Sequence, residues 1–178
     1  MKLEEYKTQS ARTAVEVSDP DRLVHCALGL ITEFIEILKA CETGDEVNGI
    51  EELGDTMWFL MEGVRAVEPY TVAGKIELTL TKEMRAPMHI FTRIADIAKS
   101  WKFYGKRPTF TELESLFNMV YTFVWDMSRQ MKVPIEDILG RNIDKLRARY
   151  PQKFSADAAI NRDLEAERRA LEGGSRES

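Results

Sequence analysis

Leu28-Gly29-Leu30-Ile31-Thr32-Glu33-Phe34-Ile35-Glu36-Ile37-Leu38 and, after a polar break, Ile50-Glu51-Glu52-Leu53-Gly54-Asp55-Thr56-Met57-Trp58-Phe59-Leu60-Met61 are the lines on which the fold turns. In the first, Val24, Ala27, Leu28, Ile31, Phe34, Ile35 and Leu38 recur at helical spacing, and Leu30 and Ile37 widen the apolar arc around Glu33. In the second, Ile50, Leu53, Met57, Leu60, Met61 and Val64 form a buried stripe, with Glu52, Asp55 and Phe59 on a neighbouring line. Four carboxylates, Glu33, Glu36, Glu52 and Asp55, are thus expected to point into packing on two apolar helices. Like charges three residues apart repel, and burial without a partner would raise one another's pKa and destabilise the fold. A divalent cation is the natural compensation, and oxygen-only ligands suggest Mg²⁺ or Mn²⁺.

A chain of 178 residues is long enough for one domain with a real core, and 44% hydrophobic with 31% charged residues is ordinary for a globular protein. The net charge of -5 hides an asymmetry. From Glu33 to Glu68 ten acids face only Lys39 and Arg65, so the remainder is net basic. An acidic centre with basic surroundings suits metal plus phosphate, although Glu42, Asp45, Glu46 and Glu68 read as a solvated face. Cys26 and Cys41 have neither a CxxC spacing nor a secretory leader before them, so reduced thiols in a cytoplasmic protein are expected. The longest apolar run, Met57 to Met61, is far short of a membrane span, and no membrane role is expected.

In chain order, Leu3 to Val15 reads as a helix, and Ser18-Asp19-Pro20 caps the acid-bearing helix that follows from Asp21 to Cys41. Thr43-Gly44-Asp45 and Asn48-Gly49 break it before the second acid helix, Ile50 to Val67. Thr71 to Thr81 fits a strand or a short helix, and a helix is the expectation. Further helices are expected from Pro87 to Phe103, from Thr109 to Met131 with Thr109 or Thr111 as cap, and from Pro134 to Arg149. Asp157 to Leu171 reads as a charged helix, and Gly173 to Ser178 as disordered. The whole reads as one all-α domain over 1-171, with a metal-binding helix pair at 18-68, a degenerate repeat and phosphate-binding helix at 87-150, and a tail at 172-178.

The repeat rests on an internal echo. Thr32-Glu33, Glu36-Ile37 and Lys39 align with Thr92-Arg93, Asp96-Ile97 and Lys99, and Glu51 to Asp55 with Glu114 to Asn118. The second copy has lost most of its acids: Arg93, Ser115 and Asn118 stand where Glu33, Glu52 and Asp55 stand in the first.

No Walker loop, GxGxxG, zinc-type Cys/His cluster or GxSxG elbow occurs, and neither His25 nor His89 lies three after a glutamate, as a ferritin-like di-iron site would require. His25, two turns before Glu33, is either a hydrogen-bonded structural residue or a substrate contact. Asn142, Lys145 and Arg149 fall on one helical line. They can grip a polyphosphate, or simply form a solvated basic helix end. Tyr104, Lys106 and Arg107 carry the same ambiguity, and without a reader motif nucleic acid is not the expected partner.

The runs His25 to Glu36 and Glu51 to Leu60 resemble the two signature helices of the MazG-like all-α nucleoside triphosphate pyrophosphohydrolases, which include the dimeric dUTPases. Asn142 to Phe154, Asn161-Arg162-Asp163 and Lys102-Phe103-Tyr104-Gly105-Lys106 are also similar to phage and bacterial members. One departure is the Phe-Tyr-Gly-Lys loop, which lies between the acid helices in short members and here sits in the second half. The resemblance implies a helical bundle and a cytoplasmic, homo-oligomeric enzyme converting (d)NTP to (d)NMP and pyrophosphate with Mg²⁺. It implies Glu33, Glu36, Glu52 and Asp55 as metal ligands, with Glu36 orienting the attacking water. Lys145, Arg149 and Asn142 would serve the phosphates and Phe59 and His25 the rest of the substrate, with Trp58 packed in the core. A dUTPase, or a non-catalytic helical nucleotide-binding or assembly protein on the same fold, are the alternatives.

Overall fold

The computed structural model describes residues 1–172. Among them lie the helices α1 (Leu3–Ala11), α2 (Asp19–Thr43), α3 (Glu46–Val67), α4 (Pro87–Tyr104), α5 (Phe110–Gln130), α6 (Ile135–Arg149), α7 (Ala156–Ile160) and α8 (Leu164–Leu171), a 3-10 turn at Glu68–Tyr70, and no strand. The all-α expectation therefore holds for the described residues. The disorder expected of Gly173 to Ser178 lies outside them.

Local chemistry sets the ends of the two central helices. Ser18 accepts a hydrogen bond from the Asp21 amide and Pro20 occupies the first turn, so α2 starts where the cap signal stands. It ends at Gly44, whose φ of 69° lies in the left-handed region that an L side chain rarely adopts. Asp45 then caps α3 by accepting from the Asn48 amide at 3.0 Å. The connection is only Gly44-Asp45, shorter than expected, because Asn48 and Gly49 belong to the first turn of α3. A hinge this short forces α2 and α3 to lie side by side, antiparallel. Gly49 is useful there for a different reason: a Cβ would meet the Met131 methyl at 3.1 Å.

The other helices pack around this hairpin, with α4 on α2, α5 and α6 on α3, α1 against α3 and α6, and α8 on α6. The core is continuous, running from Leu23, Leu30, Leu53, Met57 and Leu60 to Phe91, Ile94, Phe117, Val120 and Ile138. Tyr6 enters it fully, with its hydroxyl 2.7 Å from Asn142 Oδ1 and 3.1 Å from the Gly54 carbonyl. Gly54 is small because a Cβ there would sit 2.8 Å from that of Asn142, so α3 and α6 touch nearly backbone to side chain.

Three expectations need correction. Thr71 to Thr81 is not helical. Thr71 to Gly74 make a turn, and Lys75 to Thr81 follow as an irregular strap on which Ile76 is buried and whose amides find side-chain acceptors instead of a helical ladder: Ile76 on Glu68, Thr79 on Asn118 and Thr81 on Thr122, at 2.9, 2.9 and 3.0 Å. Its alternating, β-branched sequence suits that conformation better than a helix. Leu28, Ile35 and Leu38 do not join the core; Leu28 is 60% exposed. The apolar arc of α2 is wider than its neighbours can cover. The charged helix expected over Asp157 to Leu171 is broken into α7 and α8, because Asp163 accepts from the Ala166 amide at 2.9 Å and restarts the helix.

Candidate metal and anion site

α2 and α3 bring Glu33, Glu52 and Asp55 together, each offering an oxygen within 4.8 Å of the others. Glu52 is 8% exposed and Glu33 half-buried. Burial first, then the hydrogen bond to Glu33 and the charges of Asp55, Glu33 and Glu51, push the Glu52 carboxyl up to about 9. Glu33 is raised too, chiefly by burial. Glu52 therefore keeps its proton and shares it with Glu33, as two crowded carboxylates must when no cation separates them. Three convergent hard oxygens with a suppressed negative charge are a donor set that could hold a metal ion.

Asp55 is held from behind. Asn142 Nδ2 donates to Oδ1 at 2.7 Å, and Lys145 Nζ lies 2.6 and 2.5 Å from the two oxygens. Lys145 also reaches Glu51 at 3.2 Å, which gives each of its three ammonium protons an acceptor. It is 0% exposed. Burial works against its charge, but Asp55 and Glu51 outweigh this and raise its pKa. A carboxylate has about four lone-pair sites. Asn142 and Lys145 take three of them, two on Oδ1 and one on Oδ2, which leaves one site on Oδ2 for a further partner. Asn142 in turn offers its carbonyl to Tyr6, so a chain of contacts runs from the core to the acid cluster.

Glu36 stands apart from this trio. It points to the rim, half-buried, and accepts from Lys39 at 2.6 Å. It still lines the cavity that opens over the trio. That cavity has a volume of about 510 Å³, and Glu33, Glu51, Glu52 and Asp55 form its acidic wall. His25, Trp58 and Phe59 contribute aromatic surface, and Arg149 and Arg162 contribute cations. His25 meets Trp58 and Phe59 edge-on with ring centres 5.7 and 5.2 Å apart. Its Nδ1 is buried with no hydrogen-bond partner, and burial lowers its pKa. Phe59 crosses α2 at Gly29, where a Cβ would fall 2.2 Å from the ring. Trp58 is half-buried: it packs against the core, as expected, and also lines the cavity, with Nε1 donating to Thr13 at 2.9 Å.

Arg149 turns to α8. Its Nε and Nη2 donate to the two oxygens of Glu167 at 2.9 and 2.5 Å, and Arg162 grips the same carboxylate at 3.2 and 2.5 Å. Neither Glu51 nor the Arg162–Glu167 pair was singled out as functional in the sequence. Glu51 had a readable signal, since it stands four before Asp55, one turn away on the same face. Glu167 had none, because it lies 18 residues from Arg149 on another helix.

The second half is built differently. Arg93 pairs with Glu112 at 2.7 Å, Asp96 with Lys99 at 2.8 Å on the surface, and Asn118 accepts from the strap. Lys106 and Arg107 line a separate hollow of about 110 Å³ with Arg93, Asp96 and Glu112. α3 holds a further buried acid, Glu62, gripped by Arg22 at 2.8 Å and by Arg65. No helix among the described residues is long and apolar enough to cross a membrane. No protein-family model, curated protein or solved structure matches this chain.

Proposed function

We propose that this protein binds a nucleoside triphosphate in the cavity over Glu33, Glu52 and Asp55 and hydrolyses it to the monophosphate and pyrophosphate with Mg²⁺ or Mn²⁺. The observation that carries this reading is the composition of one cavity: a carboxylate trio, an aromatic face and two arginines, all within about 510 Å³. Carboxylates hold the cation, arginine forks match phosphate oxygens, and an aromatic edge suits a base. Held there by Glu33, Glu52 and Asp55, a divalent cation would supply charge to offset the polyphosphate and would make a bound water more acidic.

The chain's own residues do the rest. Glu33, Glu52 and Asp55 provide the cation's ligands, with Asn142 and Lys145 keeping Asp55 oriented. Glu36, on the rim and outside the trio, orients the attacking water and accepts its proton. His25 and Phe59 face the nucleoside. Arg149 attends to the phosphates. Lys145, fully engaged by Asp55 and Glu51, acts on them through Asp55, and reaches them directly only if it leaves those partners.

Homo-oligomerisation belongs to the same reading, and the observation favouring it is the exposed apolar row Leu28, Ile35 and Leu38 on α2.

Pyrophosphate release from each of the common nucleoside triphosphates and from dUTP, with Mg²⁺, tests the activity. Turnover of one or more by the wild type, and its loss in a folded Glu33→Gln variant, is the expected result. A well-folded protein that binds Mn²⁺ but turns over none of them would overturn the reading. Turnover confined to dUTP would narrow it to a dUTPase.

A further inference from the structure

We propose that Arg149 and Arg162 form a paired guanidinium clamp for the distal phosphates of the substrate, and that Glu167, on the C-terminal helix, is the residue that positions both. The clamp rests on the nucleotide reading above and adds to it a second arginine, a positioning carboxylate and a requirement for the polyphosphate chain.

The geometry of the three side chains carries the argument. Each guanidinium gives the same edge, Nε and Nη2, to the two oxygens of Glu167. This is the fork that arginine presents to a carboxylate, and it fixes the plane of the group as well as its place. The opposite corner of each guanidinium, Nη1, has no acceptor among the described residues. Arg149 and Arg162 both line the cavity, whereas Glu167 lies behind them, nearly fully buried. One carboxylate thus holds two cations, leaving an excess positive charge and an unpartnered Nη1 on each of two residues that line the cavity. An ion pair serving only to fasten α8 to α6 would be complete with one arginine.

Glu167 is itself firmly placed. α8 is capped by Asp163 at its start and, at its end, Arg141 donates to the Leu171 carbonyl at 3.0 Å while the Leu171 side chain is buried. Burial pushes the Glu167 carboxyl up, but the hydrogen bonds and charges of Arg149 and Arg162 outweigh this and bring it down to about 2. It stays ionised at any pH at which the protein would work. The partner chemistry follows from the free corners: they suit an extended anion with several equatorial oxygens, such as the tail of a triphosphate whose head is at the carboxylate trio. A lone phosphate at the trio would leave them unused.

The test is calorimetric titration of the full-length protein with Mn²⁺ alone and with the magnesium complex of inorganic triphosphate. The wild type, Arg162→Ala, Arg162→Lys, Glu167→Gln and the Arg162→Ala/Glu167→Gln double variant are compared. Mn²⁺ affinity should be unchanged throughout. Triphosphate affinity should fall about tenfold in Arg162→Ala and in Glu167→Gln, the order expected for loss of one charge-assisted contact. Arg162→Lys should not restore it, because lysine cannot fork between Glu167 and a phosphate. The double variant should be less impaired than the product of the singles, since Glu167 acts through the arginines. Arg162 is partly exposed, so its variants read out the clamp even if Glu167→Gln fails to fold. Wild-type protein that binds Mn²⁺ but neither inorganic triphosphate nor any nucleotide refutes the nucleotide reading. Wild type that binds triphosphate, with folded Arg162→Ala binding it equally well, refutes the clamp alone.

Discussion

Replacing Lys145 by Met would remove a charge from the interior while keeping most of the side chain's length and packing. Nζ lies 2.6 and 2.5 Å from the Asp55 oxygens and 3.2 Å from Glu51, with none of its side chain exposed. Removing one partner of a fully buried ion pair costs about 3–5 kcal/mol, because the other charge stays behind unpaired. Here the stranded partners keep 23% and 17% side-chain exposure, so water can reach them. The low end, about 3 kcal/mol, is therefore expected. In a chain of this length 1 kcal/mol moves the midpoint by about 2–4 °C, so metal-free Lys145→Met should melt roughly 6–12 °C below the wild type. Asp55→Asn in the same chain removes the stranded charge. The double variant should then recover, with a coupling of about 1.5 kcal/mol or more between the two sites. Urea denaturation of the wild type, both single variants and the double variant in the presence of a chelator measures this. A Lys145→Met protein as stable as the wild type, or a double variant whose cost is the plain sum of the singles, would refute the reasoning that Lys145 neutralises Asp55.

The acid trio makes a separate pH-dependent prediction. Without metal, folded Glu52 keeps a proton to about pH 9 that the unfolded chain releases near the ordinary value of 4.5, so the folded state binds more protons in between. The Glu52 contribution is fully favourable below about pH 4.5 and is lost as pH rises towards 9. Glu52→Gln should flatten that decline, and melting curves with chelator at mildly acidic and mildly alkaline pH that fall in parallel for both proteins would contradict it. Gly29→Ala should displace the Phe59 ring and cost about 1–3 kcal/mol by overpacking, despite alanine's better helix propensity. Unchanged urea stability and unchanged Phe59 chemical shifts would count against the close crossing of α2 and α3. Asp96→Asn removes only an exposed pair with Lys99, so stability and activity should hardly change. A large loss of pyrophosphate release in that variant, with folding intact, would mean that the second half takes part in the chemistry.

How far the sequence could be read depended on how local each feature was. The cap at Ser18, the left-handed Gly44 and the 3.6-residue recurrence in α2 and α3 are written within one helix turn, and the structure follows them. The convergence of Glu33 with Glu52 and Asp55 was legible too, because two amphipathic helices parted by only a short polar break must fold back on one another. Glu36 was harder. Three residues from Glu33, it lies close to it around the helix, and only the arrangement of neighbouring helices decides that one faces α3 and the other the rim with Lys39. Leu28, Ile35 and Leu38 have the hydrophobicity of core residues, but whether a helix covers them is a property of the whole bundle. The partners of Lys145 and Arg149 were out of reach for a similar reason. Their flexible stems reach Asp55, 90 residues earlier, and Glu167, 18 residues later, and no spacing rule connects such distances.

The Glu62 pairing with Arg22, the one of its two guanidinium partners that stands on α2, also sets the height at which α2 and α3 meet. Counting from this buried lock, Glu33 lies eleven residues along α2 and Glu52 ten residues back along α3, about 16 Å and about 15 Å at 1.5 Å per residue. The two helices run in opposite directions, so the lock and the acid trio behave like two rungs of a ladder whose uprights are equal in length between them. Sliding either upright by one turn, about 5.4 Å, would pull Arg22 away from the buried Glu62, leaving it Arg65 alone, and carry Glu33 out of reach of Glu52. The charge that looks unrelated to the cavity is what keeps its carboxylates level.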